Sequence, residues 1–189
     1  MQQNKFFNNT KELLQLYDQG ASFVAFDTET TGLKADRAKL LEIGAVSFTK
    51  EGITGTFSQL INPCCPIPPE AEAVNHISQN MVQDAPLEEF ILPEFLSFTG
   101  NSILIAHNAG FDLSFINTAL VRIGYSKLKN KTVDTLQLAR CLYPQLPSHT
   151  LQFLASHFAF LVGNAHRALD DAIVCKDLFL QCIRGQCHS

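Results

Sequence analysis

The sequence predicts a mixed α/β fold, one sheet of five strands covered by helices, and three observations carry that expectation. Strand-like segments come first, three in succession. Short apolar strands then alternate with helix-length segments, the pattern of sheets whose later strands are joined by helical crossovers. Hydrophobic residues make up 46% and charged residues 17% of 189 positions, enough for one substantial core and short for two. No repeat, low-complexity tract or flexible linker interrupts the chain, so a single domain over 1–189 is expected, with its core at about 22–183.

The elements follow in order. Asn9 to Tyr17 joins capping residues to apolar positions at helical spacing, and Gly20 stops it. Ser22 to Phe26 reads as a short buried strand running into Asp27, so this first strand is expected to end on a carboxylate. Leu40 to Phe48 and Ile53 to Ile61 are strands joined through Lys50-Glu51-Gly52 as a hairpin. The proline-rich stretch Asn62 to Pro69 is an extended loop, followed by short helices at Glu70–Asn75 and Ser78–Val82. Leu87 to Phe98 is an amphipathic helix closed by Gly100. Ile103–Ala106 is a fourth buried strand, with a helix from Asp112 to Ile123 after it. A short strand at Thr132-Val133 leads to a helix at Leu136–Leu142, and helices at Thr150–Phe158 and Arg167–Cys182 complete the set.

Composition excludes some classes of function. No apolar stretch approaches the ~20 residues that span a bilayer, so no membrane partner is expected. The polar start, Met1 to Lys5, lacks the pattern of a signal peptide, and a cytoplasmic protein is expected. The six cysteines contain no Cys-x-x-Cys pair; Cys182 with Cys187 and His188 is a poor imitation of a zinc site, and free thiols are the favoured reading. A net charge of −4 argues against gripping long duplexes by phosphate neutralisation. It leaves room for an enzyme that holds a few nucleotides and draws positive charge from bound metal ions.

Four clusters carry candidate chemistry. In Asp27-Thr28-Glu29-Thr30-Thr31-Gly32-Leu33, strand alternation puts Asp27 and Glu29 on one face. Carboxylates so close repel unless a cation sits between them, and hard ions such as Mg²⁺ or Mn²⁺ take oxygen ligands of this kind. In His107-Asn108-Ala109-Gly110-Phe111-Asp112, Asp112 falls in the first turn of a helix, where it serves equally well as cap or ligand; His107 reads as a satisfied core histidine. In His166-Arg167-Ala168-Leu169-Asp170-Asp171, a neutral imidazole precedes carboxylates entering the last helix, which taken singly is an ordinary acidic helix start. The fourth is Val133-Asp134-Thr135-Leu136 with Leu138-Ala139-Arg140 and Pro144. Two-metal phosphodiester cleavage requires acidic ligands for both ions, and four carboxylates from three of these separated segments plus one histidine supply that.

In this order and spacing the clusters resemble the exonuclease motifs of the DEDDh nucleases, in the DnaQ-like, ribonuclease H-like superfamily, from about Phe23 to Leu178. The resemblance implies a sheet of three antiparallel strands followed by parallel ones, and a 3′→5′ exonuclease that releases nucleoside 5′-monophosphates with two divalent metal ions, Mg²⁺ or Mn²⁺. It assigns Asp27, Glu29 and Asp171 to the ion beside the attacking water, Asp27 and Asp112 to the second ion, and general-base catalysis to His166. Thr28, Thr30 and Leu33 would lie against the terminal nucleotide, Leu33 as an apolar wedge, and Asn108 would position substrate or Asp112. Many relatives carry His-Gly-Ile-Thr where this chain has Asn75-His76-Ile77-Ser78, so His76 has two readings: a contact to base or phosphate, or an ordinary helix-end histidine.

Within the family, Asp-Thr-Glu-Thr-Thr-Gly-Leu is similar to the epsilon proofreading subunits of bacterial DNA polymerase III and their stand-alone relatives. That implies the 3′ end of single-stranded DNA as substrate, in proofreading or repair, and a polymerase catalytic subunit as a candidate partner. The chain ends soon after its last helix, where epsilon proteins commonly extend, so a stand-alone or reduced form is expected. The alternatives are an exoribonuclease of the ribonuclease T or oligoribonuclease type and, in another class, an inactive nucleic-acid-binding scaffold.

Overall fold

A computed structural model describes residues 6–161 and 167–185. Its elements are α1 (Thr10–Asp18), β1 (Phe23–Thr30), β2 (Leu40–Thr49), β3 (Gly52–Leu60), α2 (Pro69–Asn75), α3 (Gln79–Val82), α4 (Glu88–Thr99), β4 (Ile103–Ala106), α5 (Ala109–Arg122), β5 (Thr132–Asp134), α6 (Thr135–Leu142), α7 (Leu151–His157) and α8 (Ala168–Arg184). The five strands form one sheet in the order β3-β2-β1-β4-β5. β1 to β3 pair antiparallel, and β4 and β5 add in parallel to β1. The predicted mixed sheet is therefore the observed one.

Alternation along β1 organises both cores. Phe23 and Ala25 face one layer, where Phe23 packs against Phe48 of β2 and Phe179 of α8. Val24 and Phe26 face the other, where Phe26 meets Phe95 of α4 among residues of α5. Helices thus cover both faces, α1, α6, α7 and α8 on the first and α4 and α5 on the second. A smaller cluster of Leu41, Ile67, Ala71, Ile77 and Val82 seats α2 and α3.

Two boundaries differ from expectation in ways that matter for the site. β1 does not end at Asp27: it stays paired with β2 to Thr30, with Asp27 opposite Gly44 and Glu29 opposite Glu42. The ten-residue β2 provides backbone partners beyond Phe26, and the ladder breaks only at a bulge between Glu29 and Thr30. The helix after β4 begins at Ala109, three residues before the expected Asp112, because Asn108 takes a left-handed conformation (φ 66°) that turns the chain into it. Among the described residues, Cys64, Cys65, Cys141, Cys175 and Cys182 are free thiols, while Cys187 and His188 lie outside them. No described helix is long and apolar enough to cross a membrane.

Candidate active site

The two faces of β1 also sort its polar residues. Asp27 and Glu29 continue the Phe23–Ala25 row and face α8, whereas Thr28 continues the Val24–Phe26 row and faces α5. On the α8 side, Asp27, Glu29 and Asp171 offer carboxylate oxygens that all lie within 4.8 Å of one another. On the α5 side, Asp112 is buried and accepts two hydrogen bonds from Thr28, from its backbone N (3.0 Å) and its Oγ1 (2.7 Å). One strand therefore fixes four carboxylates, two directly and two through the helices packed on its faces.

The electrostatics follow from that crowding. Burial, then the neighbouring charges of Asp112, Glu29 and Asp171, push the Asp27 carboxyl well above the usual carboxylate range. Burial and Asp171 raise Glu29 to about 8. Burial likewise lifts Asp112 to about 7, against the lowering effect of the Thr28 hydrogen bonds. Such a set of oxygen donors fits a divalent cation, whose charge would let the carboxylates ionise together. Asp27 and Glu29 form no ion pair with a basic side chain among the described residues, although the charge of Arg167 lowers Glu29 somewhat.

The first turn of α8 is clamped to the sheet. Glu42 of β2, 1% exposed, accepts hydrogen bonds from Arg167 Nε (3.1 Å) and Nη2 (2.7 Å), and its Oε2 accepts the backbone N–H of Ala168 (3.1 Å). Two residues along, Gly44 lies so close to α8 that a Cβ there would overlap the backbone of Ala168 and Leu169. Helix and strand meet backbone to backbone opposite Asp27, which brings Asp171 into the cluster. Reading the sequence for chemistry missed this clamp. Its signal was nonetheless present: a glutamate and a glycine inside the otherwise apolar Leu41-Glu42-Ile43-Gly44-Ala45.

The remaining sequence candidates fall as follows. Thr28 is buried, hydrogen-bonded to Asp112, and lines the cavity beside Asp27 and Glu29. Thr30 is also buried, its hydroxyl donating to the Gly32 carbonyl at 2.7 Å, which is turn chemistry. Leu33 is 85% exposed at the edge of that turn. Asn108, exposed, presents its side chain to the cavity while its backbone N–H donates to Asp134, the residue that also caps α6. His107 is a satisfied histidine: its ring nitrogens meet Thr135 Oγ1 (3.0 Å) and the His149 carbonyl (2.9 Å), and burial lowers its pKa to about 4.

His76 is exposed at the end of α2 and takes the left-handed conformation (φ 58°) that glycine favours. Asn75 is buried, and its Nδ2 donates to the Thr30 carbonyl at 3.3 Å. His166 lies outside the described residues.

The cluster opens into a cavity of about 630 Å³. Asn108 and Phe111 border it on one side, Leu136 and Arg140 on another, and Pro147 to Gln152 form a third wall. Arg140 is exposed and brings positive charge to the rim. Its place was legible in part: Leu136 and Arg140, one helical turn apart, share a face of α6.

A central strand that gathers four carboxylates, in a sheet of this order, defines a phosphodiester-cleaving enzyme of ribonuclease H-like architecture. More particularly, the chain belongs to the RNase_T exonuclease family, which it matches over residues 24–179. It is 45% identical over 160 residues to the DNA polymerase III subunit epsilon of Treponema pallidum (strain Nichols), covering 84% of this chain and 74% of that one. It is 43% identical over 150 residues to the PolC-type DNA polymerase III of Clostridium perfringens (strain 13 / Type A), covering 79% of this chain but only 10% of that much longer one.

Among solved structures, exonuclease X in complex with 5′ overhanging duplex DNA superposes with a TM-score of 0.69 at 28% identity, covering 87% of this chain and 92% of that one. E. coli exonuclease I in complex with a dT13 oligonucleotide gives a TM-score of 0.78 at 18% identity over 88% of this chain and 42% of that one, a likeness of fold alone. The expectation of a 3′→5′ exonuclease stands, and the structure holds an acidic cluster of the kind that could take a divalent metal.

Proposed function

We propose that this exonuclease trims the 3′ end of single-stranded DNA one nucleoside 5′-monophosphate at a time, in proofreading or repair beside a DNA polymerase, with two Mg²⁺ or Mn²⁺ ions. The convergence of Asp27, Glu29 and Asp171, with Asp112 held behind them by Thr28, is the observation that carries this reading. The similarity to an epsilon subunit and to a DNA-bound exonuclease supports DNA as the polymer.

In this reading Asp27, Glu29 and Asp171 would hold one ion, and Asp27 and Asp112 would help hold the other. Divalent cations there would neutralise the carboxylates, polarise the phosphodiester and steady charge on the departing 3′ oxygen. The chain's own groups do the rest. His166 accepts the proton of the attacking water, while the adjoining Arg167 is tied to Glu42. Leu33, open to solvent, sets an apolar wedge against the terminal base, and Asn108 orients the strand at the cavity edge.

The test is digestion of 5′-labelled single-stranded DNA and matched RNA with Mg²⁺ or Mn²⁺, beside EDTA and Asp27→Ala. A descending ladder on DNA, absent from both controls, is expected. Faster RNA digestion would replace DNA by RNA as substrate, and a wild-type protein inert with every metal would overturn the reading in favour of a scaffold.

A further inference from the structure

A second groove adjoins the catalytic cavity. The chain is acidic overall, yet Leu113 to Val133 contains Arg122, Lys127, Lys129 and Lys131 and no carboxylate. Arg122 is spent on Glu88. The three lysines are not paired with a carboxylate among the described residues, and the structure explains why all three project outward. Between them Leu128 and Asn130 turn inward: the Leu128 N–H donates to Asn117 Oδ1 (2.8 Å), and Asn130 Nδ2 donates to the carbonyls of Gly100 (3.0 Å) and Ser102 (2.9 Å). The segment thus sets exposed lysines on alternate residues.

Their side of the molecule is concave. A cavity of about 690 Å³ is lined by Phe6, Phe7, Asn117, Lys129 and Lys131, and Lys131 Nζ stands 4.4 Å above the Phe7 ring. Glu12 is the acidic residue on its wall among those described. A smaller depression, walled by Gly110, Ser114, Asn117 and Lys127, joins it to the start of α5. Gly110 directly precedes Phe111 and Asp112 of the catalytic cavity, and the tip of the Phe6 ring lies 3.9 Å from where a Cβ on Gly110 would stand. The lysine groove and the smaller depression share Leu113, Asn117 and Leu128, and the depression reaches Gly110, one residue from Phe111 on the wall of the catalytic cavity. Basic groups along a groove beside aromatic rings form the chemistry that tracks single-stranded nucleic acid without reading its sequence.

We propose that this groove holds the upstream stretch of the single strand whose 3′ end occupies the catalytic cavity. Lys127, Lys129 and Lys131 meet successive backbone phosphates, and Phe6 and Phe7 border the bases. The inference rests on the exonuclease reading and adds to it the path by which substrate leaves the site.

The experiment compares wild type with Lys127→Gln/Lys129→Gln/Lys131→Gln. It measures fluorescence-anisotropy affinity for labelled oligothymidylates of about 4 and 15 nucleotides across a salt series, and cleavage of the same oligomers. Each phosphate contact on a single strand contributes a slope of about 0.7 in log affinity against log salt, so three lost contacts lower the slope by about 2. The variant is expected to bind the longer oligomer roughly 10-fold or more weakly at low salt, with that shallower slope, while the shorter oligomer is bound and cut within about two-fold of wild type. Lys34→Gln/Arg37→Gln, exposed residues that follow Leu33 in the chain, is the comparison pair. Unchanged affinity and slope for the longer oligomer in the triple variant, equal losses on both lengths, or a larger loss in the comparison pair would each overturn the groove. Absence of cleavage by wild type is a failure of the exonuclease reading, and the anisotropy reads the groove whether or not cleavage occurs.

Discussion

Thr28 shows how a single residue's direction changes its role. By position in the first motif it reads as a substrate contact, and it does line the cavity, yet it stands off the row of Asp27 and Glu29 and its hydroxyl and N–H both go to Asp112. Those bonds orient a buried carboxylate that burial alone would leave protonated near neutral pH. Thr28→Val keeps the shape and the backbone bond and deletes the hydroxyl. A hydrogen bond to a charged group is worth ~1.5–3 kcal/mol, so kcat should fall roughly 10–100-fold while the fold persists. Steady-state kinetics with a circular dichroism control checks this; activity within two-fold of wild type would show that Asp112 needs no such support. Leu33 is the converse, a large apolar side chain left 85% exposed. If it lies against a base it recovers burial worth ~1.5–3 kcal/mol. Leu33→Ala should then raise KM about 10-fold or more with kcat little changed, and the reverse split would remove the wedge.

At the scale of elements, the site is assembled by the docking of α8 onto β2. Glu42 is buried on a strand, its partner Arg167 starts a helix 125 positions away, and together they fix the turn from which Asp171 reaches Asp27. Glu42→Gln keeps the volume and breaks the bidentate pair. Removing one partner of a fully buried pair costs ~3–5 kcal/mol, but Arg167 is partly solvated, so a loss of ~1–3 kcal/mol is the expected scale. Activity should fall further than the folded fraction does, since α8 carries Asp171, to which the proposed function gives a metal-holding role. Thermal melts read beside kcat separate the two, and a loss of activity no larger than the loss of folded protein would make the clamp merely structural. This contact also marks where sequence reading stopped. Asp27, Glu29, Asp112 and Asp171 were legible because their chemistry is concentrated in short motifs, and the strand order because three strands precede the first crossover. Glu42 with Arg167, Gly44 with Ala168, and Asn75 with Thr30 are pairs far apart in the chain. Each residue looks ordinary until the tertiary packing supplies its partner. The extension of β1 through Glu29 was hidden for the same reason, since a strand's length is decided by the neighbour that pairs with it.

For the whole molecule, the metal-holding role proposed for the carboxylate cluster opposes stability, and pH exposes the opposition. Glu29 titrates near 8 and Asp112 near 7 in the folded protein, against ordinary values of 4.5 and 3.8. Between the ordinary and the raised values the folded metal-free chain binds more protons than the unfolded one. These groups therefore stabilise the fold fully below about pH 4 and lose that contribution as pH rises through 7 and 8. His107 has the opposite sign: its folded value of about 4 lies below the ordinary 6.5, so stability is lost as pH falls from 6.5 toward 4. The two effects overlap in acid, but above 6.5 only the carboxylates act. Melting temperature in EDTA should therefore fall between pH 6.5 and 8. A divalent cation binds the ionised carboxylates, so its stabilising effect should grow over that interval. At ~100 times its dissociation constant a ligand adds ~2.7 kcal/mol, or roughly 5–10 °C for a chain of this size. Scanning calorimetry at the two pH values, with Mn²⁺ or EDTA, on wild type and Asp27→Ala measures both trends. A wild-type protein whose metal-induced shift is the same at pH 6.5 and 8, or an Asp27→Ala protein that keeps the full shift, would place the ion somewhere other than this cluster.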